Sequence, residues 1–528
     1  MWEAHAERFP DAPALIQGDR RFSWSEFDRR ADGIAAALVA GGAGHQDKVT
    51  QYLYNCPEFL ETIFACFKAA LVPVNTNYRY ADDELVYLWD NADVVAAVFH
   101  GTFSERIEGI RERVPKVRMW LWVDDGSGPR PDWALDYADA VTSASERVGT
   151  PWERSGDDLY LLYTGGTTGM PKGVMWRQDD IFMTVDAASR QPIADEPSQQ
   201  ALHAKVTKPG PRTLPAAPLM HGTGAFNSFN TLQLAGSVST LRGRRFDVTE
   251  LLGTIERERI NSLTIVGDAF AKPMVAALDA EPERWDISHL RVIVSSGIMW
   301  SSATKAGLLR HNARLILVDA LGSSEAIGMA TATTTADSAH ETARFKLGPS
   351  TRVLTEDGRD VVAGSGERGR VALGGRMPLG YYKDDAKTTS TFQVVDGVRY
   401  SIPGDWAEVD ADGNVKLLGR GSQVINTGGE KVYPEEVEEI LKTHDTVHDA
   451  VVVGVPDERF GQAIVGFVEP EPDAIVDEAE LIDHVKSRLA SYKSPRWVFR
   501  VESIGRAPNG KVDYRRWGAD AKDRLGVS

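Results

Sequence analysis

Residues 163–173 read Tyr163-Thr164-Gly165-Gly166-Thr167-Thr168-Gly169-Met170-Pro171-Lys172-Gly173 and continue the apolar run 159–163. Four glycines let backbone N–H groups approach an anion closely, three threonines add hydroxyl donors, and Lys172 adds a positive charge. That combination suits a polyphosphate. The GxxxxGK[ST] spacing of a Walker loop is absent, and Val174-Met175-Trp176 reads as a second strand, so no phosphate-binding helix opens here. The stretch predicts a strand, a glycine-rich cradle and a returning strand.

Outward from this hairpin, apolar runs at 263–266, 292–295 and 315–318 read as buried strands, with helical patterns at 249–258 and 271–278 between them. Alternation of this kind predicts layered α/β structure, with ligand sites at the strand ends. A different pattern starts after the small polar stretch Gly419-Arg420-Gly421-Ser422. Pro434 opens a helix with Glu435 and Glu436 in its first turn and Val437, Ile440 and Leu441 on one face. Strands at 450–453 and 464–468 and an amphipathic helix carrying Leu481, Ile482, Val485 and Leu489 follow. The expected organisation is a large α/β domain over 1–420 and a small α+β domain over 421–528.

At 528 residues the chain exceeds one compact core, and 42% hydrophobic residues supply material for more than one. With 59 Lys and Arg against 76 Asp and Glu, the net charge of −17 argues against a nucleic-acid partner. Cys56 and Cys66 have no metal or redox spacing and read as reduced core residues of a cytoplasmic protein. No export signal is visible at the start, and residues 33–44 are too short to span a bilayer.

The hairpin resembles the phosphate-loop signature of the adenylate-forming superfamily, which holds acyl-CoA synthetases, peptide-synthetase adenylation domains and firefly-type luciferases. Further stretches match in the family's order. Leu321-Gly322-Ser323-Ser324-Glu325 resembles its YGxTE motif, residues 400–405 its YxxTGD motif, Gly419-Arg420 its hinge, and Pro508-Asn509-Gly510-Lys511 its C-terminal lysine motif. The resemblance implies a large adenylation domain, a mobile small domain, and the cofactors and co-substrates ATP, Mg²⁺ and coenzyme A.

By the same resemblance, Thr164, Gly165, Gly166, Thr167, Thr168, Gly169 and Lys172 cradle the phosphates, with Thr164 and Lys172 also catalytic. Glu325, assisted by Thr164, supplies hard oxygens to Mg²⁺, and Ser324 donates to the α-phosphate. Asp319, Ala320, Leu321, Gly322 and Gly297 border adenine, with Asp319 the candidate acceptor for its amino group. Asp405 takes the ribose hydroxyls and Arg420 pairs with ribose or phosphate. Lys511 offsets charge as pyrophosphate leaves. Gly428, Gly429 and Lys431 belong to the loop that serves thioester formation. His221, Phe226, Phe229, Gly297 and Met299 are implied to border the acyl pocket, with a structural or gating role the alternative for His221 and plain core the alternative for Phe226 and Phe229; Phe270 and Trp300 are further apolar candidates for its wall.

Three positions depart from the family pattern. Leu321 replaces the aromatic that stacks on adenine, Pro403 replaces the threonine before Gly404-Asp405, and Ser422 stands where the pivot is usually Asp or Lys.

The function implied is an AMP-forming acid–CoA ligase that makes an acyl-adenylate and then a thioester. The apolar wall candidates favour a hydrophobic acid over acetate. Residues 163–178 most resemble actinobacterial acyl-CoA synthetases of fatty-acid or steroid side-chain breakdown. An aryl-CoA ligase, transfer to a carrier protein, oxidation of the adenylate, and a non-catalytic nucleotide-binding protein are the alternatives. Partners are small molecules, no membrane insertion is implied, and a homodimer is compatible with the sequence.

Overall fold

In the computed structural model all residues are described except 165–169, 188–198, 298–299, 339–343, 421–422, 428–429, 458–460, 490, 508–509 and 528, and Gln199, Gln200, Leu202, Arg344, Arg420, Asn426, Glu430 and Lys431 are described by backbone alone. The chain forms two compact units. One comprises Met1–Gly166, Met170–Thr342 and Gly374–Gln393, the other Ala343–Leu373 and Val394–Ser528. The expected boundary at residue 420 lies within the second unit's sequence span.

The first unit carries two runs of hydrogen-bonded strands. In one, the order is Gly380–Tyr381, Lys172–Arg177, Leu159–Thr164, Val72–Asn75, Lys48–Tyr52, Val94–His100, Met119–Val123 and Leu135–Asp136. Pairing is parallel from Leu159–Thr164 onward and antiparallel across the two preceding pairs. In the other run, Pro13–Gln17, Ser237–Ser239, Arg212–Pro215, Ser262–Ile265, Val292–Ser296 and Ile316–Ser323 are parallel neighbours. Ala326–Thr334 then returns antiparallel along Ile316–Ser323. Strands read from apolar runs at 263–266, 292–295 and 315–318 are therefore present, the first two within a residue of their expected bounds and the third running five residues further, to Ser323.

Helices cover these strands because their apolar faces need burial. Trp24–Ala40 starts at a capping box in which the Ser23 hydroxyl accepts from Glu26 N–H at 3.2 Å and the Glu26 carboxylate accepts from Ser23 N–H at 2.8 Å. Its buried face packs with Pro57–Lys68 in a core that also holds Trp2, Tyr160 and Phe229. A separate core joins Val248–Arg257, Asp268–Ala280 and Ser302–His311 around Phe270, Met274 and Trp300.

In the second unit, Asp405–Val409 and Asn414–Arg420 form a hairpin, and Val447–Asp457 pairs with Gly461–Pro470. Pro434–Lys442 has Pro at its first turn and buries Val437 and Leu441, as its sequence pattern predicts. Among the described residues no helix is long and apolar enough to cross a membrane. Both cysteines are buried and free, and burial pushes their thiols up.

Candidate active site

The hairpin is antiparallel, with Thr164 opposite Lys172 and Tyr163 opposite Gly173. Gly173 has a steric reason to be glycine, since a Cβ there would lie 2.6 Å from the Tyr163 ring. The strand end is fixed by Asn75, whose carboxamide accepts from Tyr163 N–H at 2.6 Å and donates to the carbonyls of Tyr163 and Met220, both at 2.7 Å. Asn55 does the same for the following loop, accepting from Leu219 N–H at 2.7 Å and donating to Pro215 and Ala217 carbonyls at 3.3 and 3.1 Å. Buried backbone groups that lack ladder partners are thereby satisfied. The two asparagines strap residues 215–220 to the hairpin and place His221, half-buried, at the N-cap of Gly222–Gln233.

Parallel pairing of Ser295 with Asp319 and Ser296 with Ala320 brings Gly297, at φ 105°, to the same strand end as Leu321 and Gly322. Residues expected to border adenine are thus neighbours, and Leu321 is half-buried. Glu325 follows in the turn between Ile316–Ser323 and Ala326–Thr334. Two long-range bonds tie this turn to the hairpin. Trp176, on the returning strand, donates its indole N–H to the Ser324 carbonyl at 2.9 Å. Tyr381, paired with Val174 of that strand, donates its hydroxyl to Glu325 Oε1 at 2.5 Å. Lys172 forms an ion pair with Asp384, three residues beyond Tyr381.

Asp319 differs from the unencumbered acceptor the sequence suggests. Its Oδ2 is taken by the ammonium of Lys305, whose side chain is 1% exposed. Burial raises the Asp319 pKa while the Lys305 charge opposes that shift. The apolar candidates also separate. Phe229 and Phe226 both belong to the first core: at 3% exposure the Phe229 ring lies 5.9 Å from Trp2, 5.7 Å from Tyr160 and 6.2 Å from Phe226. Phe226 borders Gly222, where a Cβ would approach its ring to 2.9 Å. Phe270 and Trp300 belong to the other core. Met299 lies outside the described residues.

In the second unit, Asp405 is buried and stands opposite Arg420 in the hairpin register. The two expected ribose residues are therefore neighbours. Gly419 has φ 105°, a conformation that strains any residue with a Cβ. Lys431 pairs with Asn426 in the short ladder Ile425–Thr427 with Glu430–Val432, while Gly428 and Gly429 lie outside the described residues, as do Gly165, Gly166, Thr167, Thr168 and Gly169.

Lys511 is exposed at the end of a turn whose backbone is closed by Ala507 N–H donating to the Lys511 carbonyl and Gly510 N–H to the Ala507 carbonyl, both at 2.8 Å. Arg506 anchors that turn, donating to Asp449 at 2.6 and 2.9 Å, to the Ala450 carbonyl at 2.9 Å and to the Gly510 carbonyl at 3.2 Å. The Lys511 cation is thus carried on an anchored turn.

The site's residues fit a magnesium-bound nucleotide. Glu325 is a half-buried carboxylate with one oxygen committed to Tyr381 and no donor on the other among the described residues. Among those residues no group of three His, Cys, Asp or Glu forms a metal cage. That is the donor set Mg²⁺ uses when phosphates and waters complete its shell.

Comparison with known proteins places the chain in a family. Residues 2–382 match the AMP-binding enzyme family and residues 436–511 the AMP-binding enzyme C-terminal domain. The chain is 40% identical over 513 residues to a medium/long-chain-fatty-acid–CoA/3-oxocholest-4-en-26-oate–CoA ligase of Mycobacterium tuberculosis, covering 96% of this chain and 92% of the relative. It is 39% identical over 534 residues to a 3-oxocholest-4-en-26-oate–CoA ligase of Rhodococcus rhodochrous, covering 98% and 94%. Its fold is similar to that of the anthranilate CoA ligase AuaEII in complex with anthranoyl-AMP, with a TM-score of 0.84 at 22% identity, covering 100% of this chain and 97% of that one. The hairpin, the Glu325 turn and the two matches together identify the chain as a member of the AMP-binding, adenylate-forming enzyme family.

Proposed function

We propose that this AMP-forming acid–CoA ligase takes a hydrophobic acid, of the medium- or long-chain fatty or steroid side-chain kind, as its substrate. Adenylation is supported above all by one observation: the Thr164–Lys172 hairpin and the Glu325 turn are joined by Tyr381 and Trp176 into one charged cradle. The acid class is supported by the fatty and steroid side-chain acids named for the relatives that match nearly the whole chain. The buried pair Cys56 and Cys66 fits a cytoplasmic location.

In this reading Lys172 and Thr164 hold the triphosphate, Asp405 and Arg420 hold the ribose, and Asp319 accepts from the adenine amino group. Glu325 and Thr164 would hold Mg²⁺, which when bound neutralises phosphate charge. The substrate carboxylate attacks the α-phosphorus, forming the acyl–phosphate bond as the bond to pyrophosphate breaks. Most of the acceleration comes from positioning and charge neutralisation, with Lys511 offsetting charge on the leaving group. Residues 421–528 then turn at Arg420–Ser422, the 428–431 loop serves the second half-reaction, and the CoA thiolate displaces AMP from the acyl carbon.

A CoA-consumption assay over acetate, fatty acids of increasing length, benzoate and a steroid side-chain acid tests the acid class. Specificity rises roughly tenfold for every two methylenes buried, at about 0.8 kcal/mol each. Preference for acetate or benzoate overturns it.

A further inference from the structure

We propose that Tyr381 is a positioning residue for the metal-binding carboxylate, holding Glu325 from the strand that pairs with the phosphate hairpin. The proposal rests on the reading of Glu325 as the carboxylate that meets the nucleotide's metal ion. Tyr381 is 4% exposed and fixed on all sides. Its strand pairs with Lys172–Arg177, its N–H donates to the Thr388 hydroxyl at 2.8 Å, and its ring lies 6.0 Å from Phe392. The next residues are anchored independently. The Tyr382 hydroxyl donates to Asp93 at 2.8 Å, Lys383 pairs with Asp93 at 2.6 Å, and Asp384 caps Asp385–Thr391 while pairing with Lys172.

A phenol held this rigidly can fix only one oxygen of Glu325, and it does so at 2.5 Å. The carboxylate's rotation is thereby set, Oε1 is committed, and Oε2 is left for a metal ion. One five-residue turn, 380–384, thus touches both the metal carboxylate and the phosphate lysine. Outer partners that orient metal ligands in this way typically govern metal affinity by 10–100-fold. AMP lacks the phosphates that share the ion, so its binding is independent of the Tyr381 hydroxyl.

The test compares wild type, Tyr381→Phe and Glu325→Gln by calorimetric binding of α,β-methylene-ATP across a Mg²⁺ series, with AMP binding measured alongside. The expected result is that Tyr381→Phe needs about 10-fold more Mg²⁺ for half-maximal analogue affinity and binds AMP as wild type does. If Glu325→Gln raises the Mg²⁺ requirement and Tyr381→Phe does not, the positioning role is overturned. If Glu325→Gln leaves the requirement unchanged, the metal reading itself fails and takes the proposal with it. An equal loss of AMP affinity in Tyr381→Phe marks a general structural role and also overturns it.

Discussion

Lys305 buries its ammonium against the carboxylate of Asp319, with side-chain exposures of 1% and 10%, on the strand where Asp319 stands opposite Ser295. Removing one member of such a pair strands the other charge, at a cost of about 3–5 kcal/mol. In Lys305→Met the burial that raises the Asp319 pKa is no longer opposed, so folded Asp319 binds a proton that the unfolded chain releases near pH 4. Folding then takes up a proton, and stability falls as pH rises from the unfolded carboxyl value through the folded one. Thermal melts of Lys305→Met are expected to approach wild type near pH 4 and fall well below it near pH 7. A pH-independent offset would contradict the ion-pair account. The double variant Lys305→Met/Asp319→Leu is expected to recover stability and not ATP affinity.

Trp176 supplies the second tie between hairpin and Glu325 turn. Trp176→Phe leaves the Ser324 carbonyl without its donor, a loss of about 1 kcal/mol. Acid-dependent pyrophosphate exchange should lose roughly fivefold in kcat/KM for ATP, with the KM for the acid unchanged. A change confined to the acid would place Trp176 in the acyl pocket instead.

Asp405 is buried and stands opposite Arg420 in the hairpin register. Asp405→Ala removes charge-assisted bonds to the ribose worth about 1.5–3 kcal/mol each. Equilibrium dialysis should show ATP and AMP weakened alike by 10-fold or more, in contrast to the phosphate-specific effect expected at Tyr381. Unchanged AMP affinity would exclude the ribose role.

Lys511 sits exposed on the turn held by Arg506. Lys511→Ala should lower adenylation by at least ~10²-fold, the scale of one lost transition-state contact, and spare thioester formation from supplied acyl-adenylate. Near-normal pyrophosphate exchange in that variant would remove Lys511 from the mechanism.

What the sequence makes legible is what local chemistry encodes. The apolar run before Thr164 and the glycines after it specify a strand entering a cradle, and Pro434 with its acidic first turn specifies a helix start. Residues that assemble the site from afar leave no local mark. Asn75 reaches Tyr163 and Met220, 88 and 145 residues away, and Trp176 reaches Ser324 across 148. In sequence Asn75 is only a polar residue ending the apolar strand Val72–Asn75, which is the one available hint of a backbone clamp. Tyr381 reads as an ordinary core aromatic. Phe226 and Phe229 show the converse: helical spacing marks both as apolar, and only packing separates the ring bordering Gly222 from the one buried against Trp2.

The central claim, AMP-forming ligation of a hydrophobic acid to CoA, is tested most directly by product balance. ATP, a long-chain or steroid side-chain acid and CoA are incubated with the enzyme, and all nucleotide and thioester products are quantified together. The account predicts equal amounts of AMP, pyrophosphate and acyl-CoA, with sustained AMP release abolished when either acid or CoA is omitted. Formation of ADP and phosphate, or sustained AMP release without a thioester product, would contradict it.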